Sequence, residues 1–418
     1  MDDICFTSIS SHMPTSTLID RACSASLDDV LCLDDFEPAA RTILPRPIFE
    51  YIAGAAETNA SYYRNQSAYQ QYGFLPRVMI DVSKRSQAVS IFGEEWKAPF
   101  GIAPMGISAL SAYRGDLVLA EAGQRAGIPM IMSGSSLIRL EDIAKAAPRA
   151  WFQAYLPGQL SQIKDLISRV RAAGFQTLVI TVDTPVAANR ENNIRAGFST
   201  PLRPSLSLAW QGVSHPRWLF GTFLRTLIKH GLPHFENNYA TRGAQILSST
   251  VVRDFSDRGH LNWEYFKEIR RMWPGPLVVK GILHPGDAVV ASALGADGII
   301  VSNHGGRQLD GAVSPLTMLP GVVDAVPDKP VMIDSGIRRG SDVLKALALG
   351  AQMVFVGRPF AYAAAVSGDK GVSHAIALLS AEVLRNMGLL GITRLAELTP
   401  EFLVGDQIVP SFSHRARH

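Results

Sequence analysis

The chain has 418 residues, 47% hydrophobic and 18% charged, enough for a substantial core in one large domain or two ordinary ones. A net charge of +3, with no basic arm and no aromatic–basic interleaving, argues against a nucleic-acid partner. Cys5, Cys23 and Cys32 show no metal spacing, residues 1–25 lack a signal-peptide pattern, and no apolar run reaches bilayer length, so a cytoplasmic location is expected.

In chain order, residues 1–25 are rich in Ser, Thr and other small residues and are expected to form a poorly ordered extension. One domain is expected over 26–400, leaving 401–418 as a tail. Leu27, Val30, Leu31 and Phe36 recur at helical spacing; Pro45 and Pro47 interrupt, and 49–56 predicts another helical turn carrying Tyr51. Between 74 and 92, Val78, Ile80, Val82, Val89 and Ile91 alternate with polar residues, which predicts a short antiparallel lid.

From Pro99 a repeat sets in. Apolar strand-like runs are expected near 100–103, 129–132, 151–155, 178–182, 277–280, 298–301, 331–334 and 353–357, with amphipathic helical segments between nearly all of them. Eight strand-then-helix units predict an α/β fold, a (β/α)8 TIM barrel with an N-terminal helical and hairpin lid. The alternative, a doubly wound open sheet, usually carries a Gly-rich first turn, and 103–106 reads Ala-Pro-Met-Gly. After the fourth strand a long insertion occupies about 184–262. Within it, 216–232 places Trp218, Leu219, Phe220, Phe223, Leu224, Leu227 and Ile228 on one helical side. Arg217, Thr222, Arg225, Thr226, Lys229 and His230 fall on the other. That pattern fits a helix lying in a membrane interface, or one packed on its own barrel or a sister subunit.

In such a barrel the strand ends face the catalytic mouth. Here they carry Ser133, Gln153 with Tyr155, Thr181 with Asp183, Lys280, His304 with Arg307, Asp334 with Arg338, and Gly357-Arg358. Buried polar groups must be compensated, so this convergence points to a site rather than to packing. Asp334-Ser335-Gly336-Ile337-Arg338 and Gly357-Arg358 put glycines and arginines where strands turn into helices, a phosphate-binding arrangement. Lys280 is placed to neutralise an anion forming in a bound ring system. No metal site is expected.

The chain resembles the FMN-dependent 2-hydroxy-acid dehydrogenase and oxidase family over about residues 27–400. The resemblance rests on Ser302-Asn303-His304-Gly305-Gly306-Arg307-Gln308, with support from Ile102-Ala103-Pro104, Gln153-Ala154-Tyr155, Thr181-Val182-Asp183-Thr184-Pro185 and 334–340. It implies oxidation of an L-2-hydroxy acid to the 2-oxo acid. His304 would be the base, Asp183 its stabiliser, and Arg307, Arg190 and Tyr51 the carboxylate binders. Tyr155 would bond the 2-hydroxyl or the developing oxyanion. FMN would rest on Ala103, Pro104, Met105, Gly106, Ser133, Gln153, Thr181 and Ser302, with Lys280 at its pyrimidine edge. Asp334, Ser335, Gly336, Arg338, Gly357 and Arg358 would surround its phosphate end.

Ser135 stands where short-chain oxidases of the family have an aromatic residue, and Gly106 where several members have Ala. With the insertion, these look like the membrane-associated bacterial L-lactate and mandelate dehydrogenases. The resemblance thus implies electron transfer to a quinone or other respiratory acceptor, peripheral contact with the cytoplasmic face of the inner membrane through 216–232, and a homotetramer. The alternatives are a family oxidase that releases hydrogen peroxide and another FMN barrel, such as an isopentenyl diphosphate isomerase.

Overall fold

The protein is described from a computed structural model that covers residues 27–248 and 258–405. The expected N-terminal extension, with Cys5 and Cys23, and residues 406–418 of the expected tail lie outside the described residues. Eight parallel strands run in chain order: β1 (Phe100–Ile102), β2 (Ile131–Ser133), β3 (Trp151–Ala154), β4 (Leu178–Thr181), β5 (Leu277–Ile282), β6 (Gly298–Val301), β7 (Val331–Asp334) and β8 (Met353–Val356). Each pairs with its neighbour, β8 pairs with β1, and an isolated Ile102–Met130 bridge brings β1 to β2. Ile102 N donates to Pro129 O there at 2.9 Å, so the sheet closes on itself and the open-sheet alternative falls.

Alternation along the strands explains both the core and the site. Ile131, Trp151, Val179, Val278, Ile300 and Met332 point inward and form one apolar cluster with Met353 and Phe355. The residues between them face the surrounding helices and join the larger core. A strand's side chains repeat every second residue, so the next inward positions are Ser133, Gln153, Thr181, Lys280, Ser302 and Asp334. Six polar side chains therefore form a layer directly above an apolar one.

The antiparallel pair exists, Val89–Ile91 with Glu94–Trp96, but not as a lid. Ile91 and Trp96 pack on the inner apolar layer, and the Phe92 ring approaches Gly298, the first residue of β6. The hairpin thus closes the floor of the barrel, because its apolar edge matches the bottom of the strands. Val78 and Met79 lie exposed outside any strand, with no partner strand to use their alternation. Helices Arg46–Ala53 and Ala60–Gln70 supply the cover near the mouth. The first starts earlier than its pattern suggests, since Pro47 sits in the opening turn, where no backbone N–H is needed. Residues 403–405 of the expected tail belong to the fold, as Leu403–Gly405 pairs antiparallel with Tyr72–Phe74.

The insertion carries helices Leu206–Val213 and Pro216–His230, the second containing a π-helical stretch over Leu219–Leu224. Thr222 and Thr226, expected on the outward polar side, are buried, while Phe220 is 66% and Ile228 82% exposed. The wider π turn rotates the following residues away from regular 3.6-residue spacing, which splits the expected apolar side in two. Trp218, Leu219 and Phe223 pack inward, and Trp218 Nε1 donates to Leu110 O at 2.7 Å. Among the described residues no helix is long and apolar enough to cross a membrane.

Candidate functional site

The polar layer is compensated chiefly through one ion pair. Lys280 Nζ lies 2.7 Å from Asp334 Oδ2 with both side chains buried, and donates to Ser302 Oγ at 2.7 Å. Burial pushes the ammonium toward neutrality, but Asp334 and Asp183 outweigh it and hold its pKa above the ordinary lysine value. A fixed positive charge therefore stands at the end of β5.

The loop after β6 carries His304, Gly305 and Gly306. His304 has φ +59, uncommon for a residue with a Cβ, and Gly305 and Gly306 follow at +68 and +74. Glycine is required at 306, where a Cβ would meet Tyr62 N at 2.6 Å. The loop is splinted by the Ala60–Gln70 helix. Asp310 accepts from the amides of Thr58 and Ser61 at 3.0 Å, capping that helix from a distant part of the chain. Asn303 and Asn65 exchange side-chain hydrogen bonds at 2.8 and 2.7 Å.

So held, His304 Nδ1 lies 2.9 Å from Asp183 Oδ1, and Nε2 lies 3.4 Å from the Tyr155 hydroxyl. Burial, with help from Lys280 and Arg190, pushes the imidazole below its usual pKa of 6.5, and Asp183 offsets this only partly. Burial raises the Asp183 carboxyl, yet His304 and Lys280 bring it below its ordinary value. At neutral pH the pair is thus a neutral imidazole beside a carboxylate. The carboxylate fixes the proton on Nδ1 and leaves the Nε2 lone pair toward the cavity.

Around His304 opens a cavity of about 410 Å³ lined by Tyr51, Tyr155, Arg190, Arg307, Lys280, Asp334, Ser335, Arg338 and Arg358, with Ala103 through Gly106. Arg307 donates to the carbonyls of Tyr51, Ile52 and Gly54 at 2.7, 3.1 and 2.6 Å, and Arg190 to Arg307 O and Gln308 Oε1 at 3.1 and 2.9 Å. Burial, then the Arg190 and Arg358 charges, press the Arg307 guanidinium down to about 9. Crowded, desolvated cations of this kind are relieved by an anion. A Cβ added at Gly106 would stand 3.0 Å from the Tyr51 hydroxyl and 3.1 Å from Ser135 Cβ, so glycine there leaves the chamber wide.

Ser133, Gln153 and Ser302 lie in the wall behind the cavity rather than on its surface. Arg358 bonds the carbonyls of Ile52, Gly54 and Gly305 and stacks on Tyr62 at 4.7 Å. Asn65, Asp310, Phe198 stacked on Tyr51 at 4.6 Å, and the buried cavity-lining Arg258 escaped sequence reasoning. Asn65 and Phe198 sit in stretches with no motif, and only the folded chain brings the first to Asn303 and the second to Tyr51. Asp310 ends the motif run, but its partners lie some 250 residues away.

Fold and site together define a parallel (β/α)8 barrel whose mouth holds a buried neutral histidine beside a carboxylate and a cluster of arginines lining one cavity. A model of the FMN-dependent dehydrogenase family matches residues 40–405. The chain is 35% identical to (S)-mandelate dehydrogenase of Pseudomonas putida, over 90% of this chain and 94% of that one. It is 38% identical to an L-lactate dehydrogenase of Stenotrophomonas maltophilia, over 88% and 97%. Among solved structures it matches the monotopic membrane protein (S)-mandelate dehydrogenase with a TM-score of 0.82, 34% identity and coverage of 90% and 99%. A mandelate oxidase variant matches at a TM-score of 0.74 and 34% identity. The chain belongs to the FMN-dependent dehydrogenase family, and FMN is its cofactor.

The residues present fit that group. Gln153 Nε2, Thr181 Oγ1 and Arg338 Nη2 are buried without a protein partner. Such atoms are costly unless a ligand satisfies them. Amide, hydroxyl and guanidinium donors beside the Lys280 ammonium suit the polar edge of a flavin and its phosphate.

Proposed function

We propose that the protein oxidises an L-2-hydroxy acid to the 2-oxo acid, with His304 as the base. The observation that carries this is the His304 Nδ1–Asp183 contact at 2.9 Å beside the Arg307 and Arg190 guanidiniums. Arg307, Arg190 and the Tyr51 hydroxyl hold the substrate carboxylate, and Tyr155 bonds the 2-hydroxyl. His304 Nε2 takes the substrate proton, and Asp183 stabilises the imidazolium that results. Thr181 and the 103–106 backbone hold the flavin, with Gln153 and Ser133 backing them from the wall and Lys280 at its polar edge, and Gly336, Arg338, Gly357 and Arg358 hold its phosphate. Bound FMN supplies the two-electron sink. Mixing the holoenzyme anaerobically with a panel of 2-hydroxy acids tests this. Bleaching of the flavin by L- but not D-isomers is expected, and no bleaching by any acid overturns the reading.

The proposed acceptor is a quinone or other respiratory carrier; that the relatives are dehydrogenases supports an acceptor other than oxygen. The mandelate oxidase likeness supports a second reading, an oxidase that releases hydrogen peroxide. On admission of air to the bleached enzyme, slow return of colour is expected; rapid return selects the oxidase.

Membrane contact through the insertion belongs to the same proposal, as does assembly into a tetramer. Leu206, Trp210, Val213, Phe220 and Ile228 are exposed apolar side chains, with Arg217, Arg225 and Lys229 beside them. Vesicles containing anionic lipid should sediment with the protein, and Phe220→Glu with Ile228→Glu should weaken binding about tenfold or more. Equal binding by parent and variant would remove the idea.

A further inference from the structure

The ends of β5, β6 and β7 are joined by a ring of hydrogen bonds, one link of which the proposed chemistry does not use. Lys280 Nζ contacts Asp334 Oδ2 and Ser302 Oγ, each at 2.7 Å. Ser302 Oγ accepts from the amide of His304 at 3.0 Å. On the other side, Ser335 Oγ donates to Asp334 Oδ1 at 2.8 Å and accepts from the amide of Gly305 at 3.0 Å. Two hydroxyls thus hold two consecutive amides at the base, one from its own loop and one from the next strand.

Ser335 sits at φ +79, where glycine is at ease and a residue with a Cβ is strained. What its side chain adds there is the hydroxyl. The backbone of this segment is braced independently. The Tyr69 hydroxyl donates to Ser335 O at 3.3 Å, and Gly336 lies so close to the Ala60–Gln70 helix that a Cβ would meet Asn65 O at 2.2 Å. Loss of the hydroxyl therefore leaves the loop in place while cutting the link between the ion pair and the base.

We propose that Ser335 is a positioning residue whose hydroxyl couples the Lys280–Asp334 pair to the amide beside His304. This rests on the reading of the site as an FMN-dependent hydroxy-acid oxidase or dehydrogenase. Donation to Asp334 Oδ1 draws off part of the carboxylate's charge, so more of the Lys280 field reaches the cavity. The same bond keeps ammonium and imidazole in one relative position.

Ser335→Ala and Ser335→Gly, prepared as holoenzymes, separate the hydroxyl from the backbone. Both remove the bond, but only Gly relieves the strain. Both should lower kcat about tenfold or more with KM within about twofold, as expected when a reacting group is slightly misplaced. Both should also move the midpoint potential of bound FMN to more negative values, read by equilibration with a redox dye and no substrate. Ser335→Gly should melt no lower than the parent. A Gly variant with parental kcat and midpoint overturns the proposal, because backbone conformation alone would then matter. So does a fall in kcat with no change in midpoint in either variant. If no 2-hydroxy acid reduces the parent, the functional reading fails, while the midpoints still decide the role of Ser335.

Discussion

Replacing His304 with Gln is expected to leave FMN bound and to lower kcat by ~10²–10⁴-fold, the usual contribution of a positioned general base. The proposed flavin contacts come from strand ends and the loops after β1, β7 and β8, so uptake followed by flavin fluorescence should stay near parental. Stopped-flow reduction by the best acid of the panel measures the loss. A variant within a fewfold of the parent would remove His304 as the base. The pH profile follows from the same environment. Burial holds the imidazole below its usual 6.5, so the base form prevails at neutral pH. The kcat/KM of the parent should then be flat through neutrality on the acid side. It should fall about tenfold per pH unit only below that depressed value, as the lone pair on Nε2 becomes protonated.

Lys280→Met carries the second large effect. The change leaves Asp334 buried without its cation and Ser302 without its donor. Removing one partner of a buried pair typically costs about 3–5 kcal/mol, because the other charge stays desolvated and uncompensated. Thermal melting should drop accordingly, and flavin affinity should fall with the loss of the fixed positive charge at the end of β5. Adding Asp334→Asn to Lys280→Met removes the stranded charge and should restore part of the stability, but not the flavin affinity. A single variant with parental melting would show that the pair is not the keystone of the polar layer. A double variant that regains full flavin affinity would show that the Lys280 charge is dispensable to the cofactor.

Much of the site is legible in the chain because each barrel strand is a local unit. The period of two that places Val278 inward also places Lys280, and the same holds for Met332 with Asp334 and Ile300 with Ser302. What is less legible depends on partners far apart in sequence. The hairpin at 89–96 has the alternation of a lid, but whether it covers the top or the bottom of a barrel depends on which end has a matching apolar surface. The helix at 216–230 has an amphipathic pattern, yet its π turn, which comes directly after the Trp218–Leu110 bond, changes which residues stay exposed.

The amino-acid sequence by itself determined the eight strand-and-helix units and the polar ends of the strands, and it singled out His304, the arginines and the two glycine–arginine turns as candidates. Periodicity and short motifs are local, so neighbouring residues suffice to express them. Only the tertiary structure decided how those groups are held: Asn65 against Asn303, Asp310 capping a helix some 250 residues away, and Ser335 between Asp334 and Gly305. Such contacts form where separate strand ends converge, and side-chain hydrogen bonds of short reach exist only once the barrel has closed.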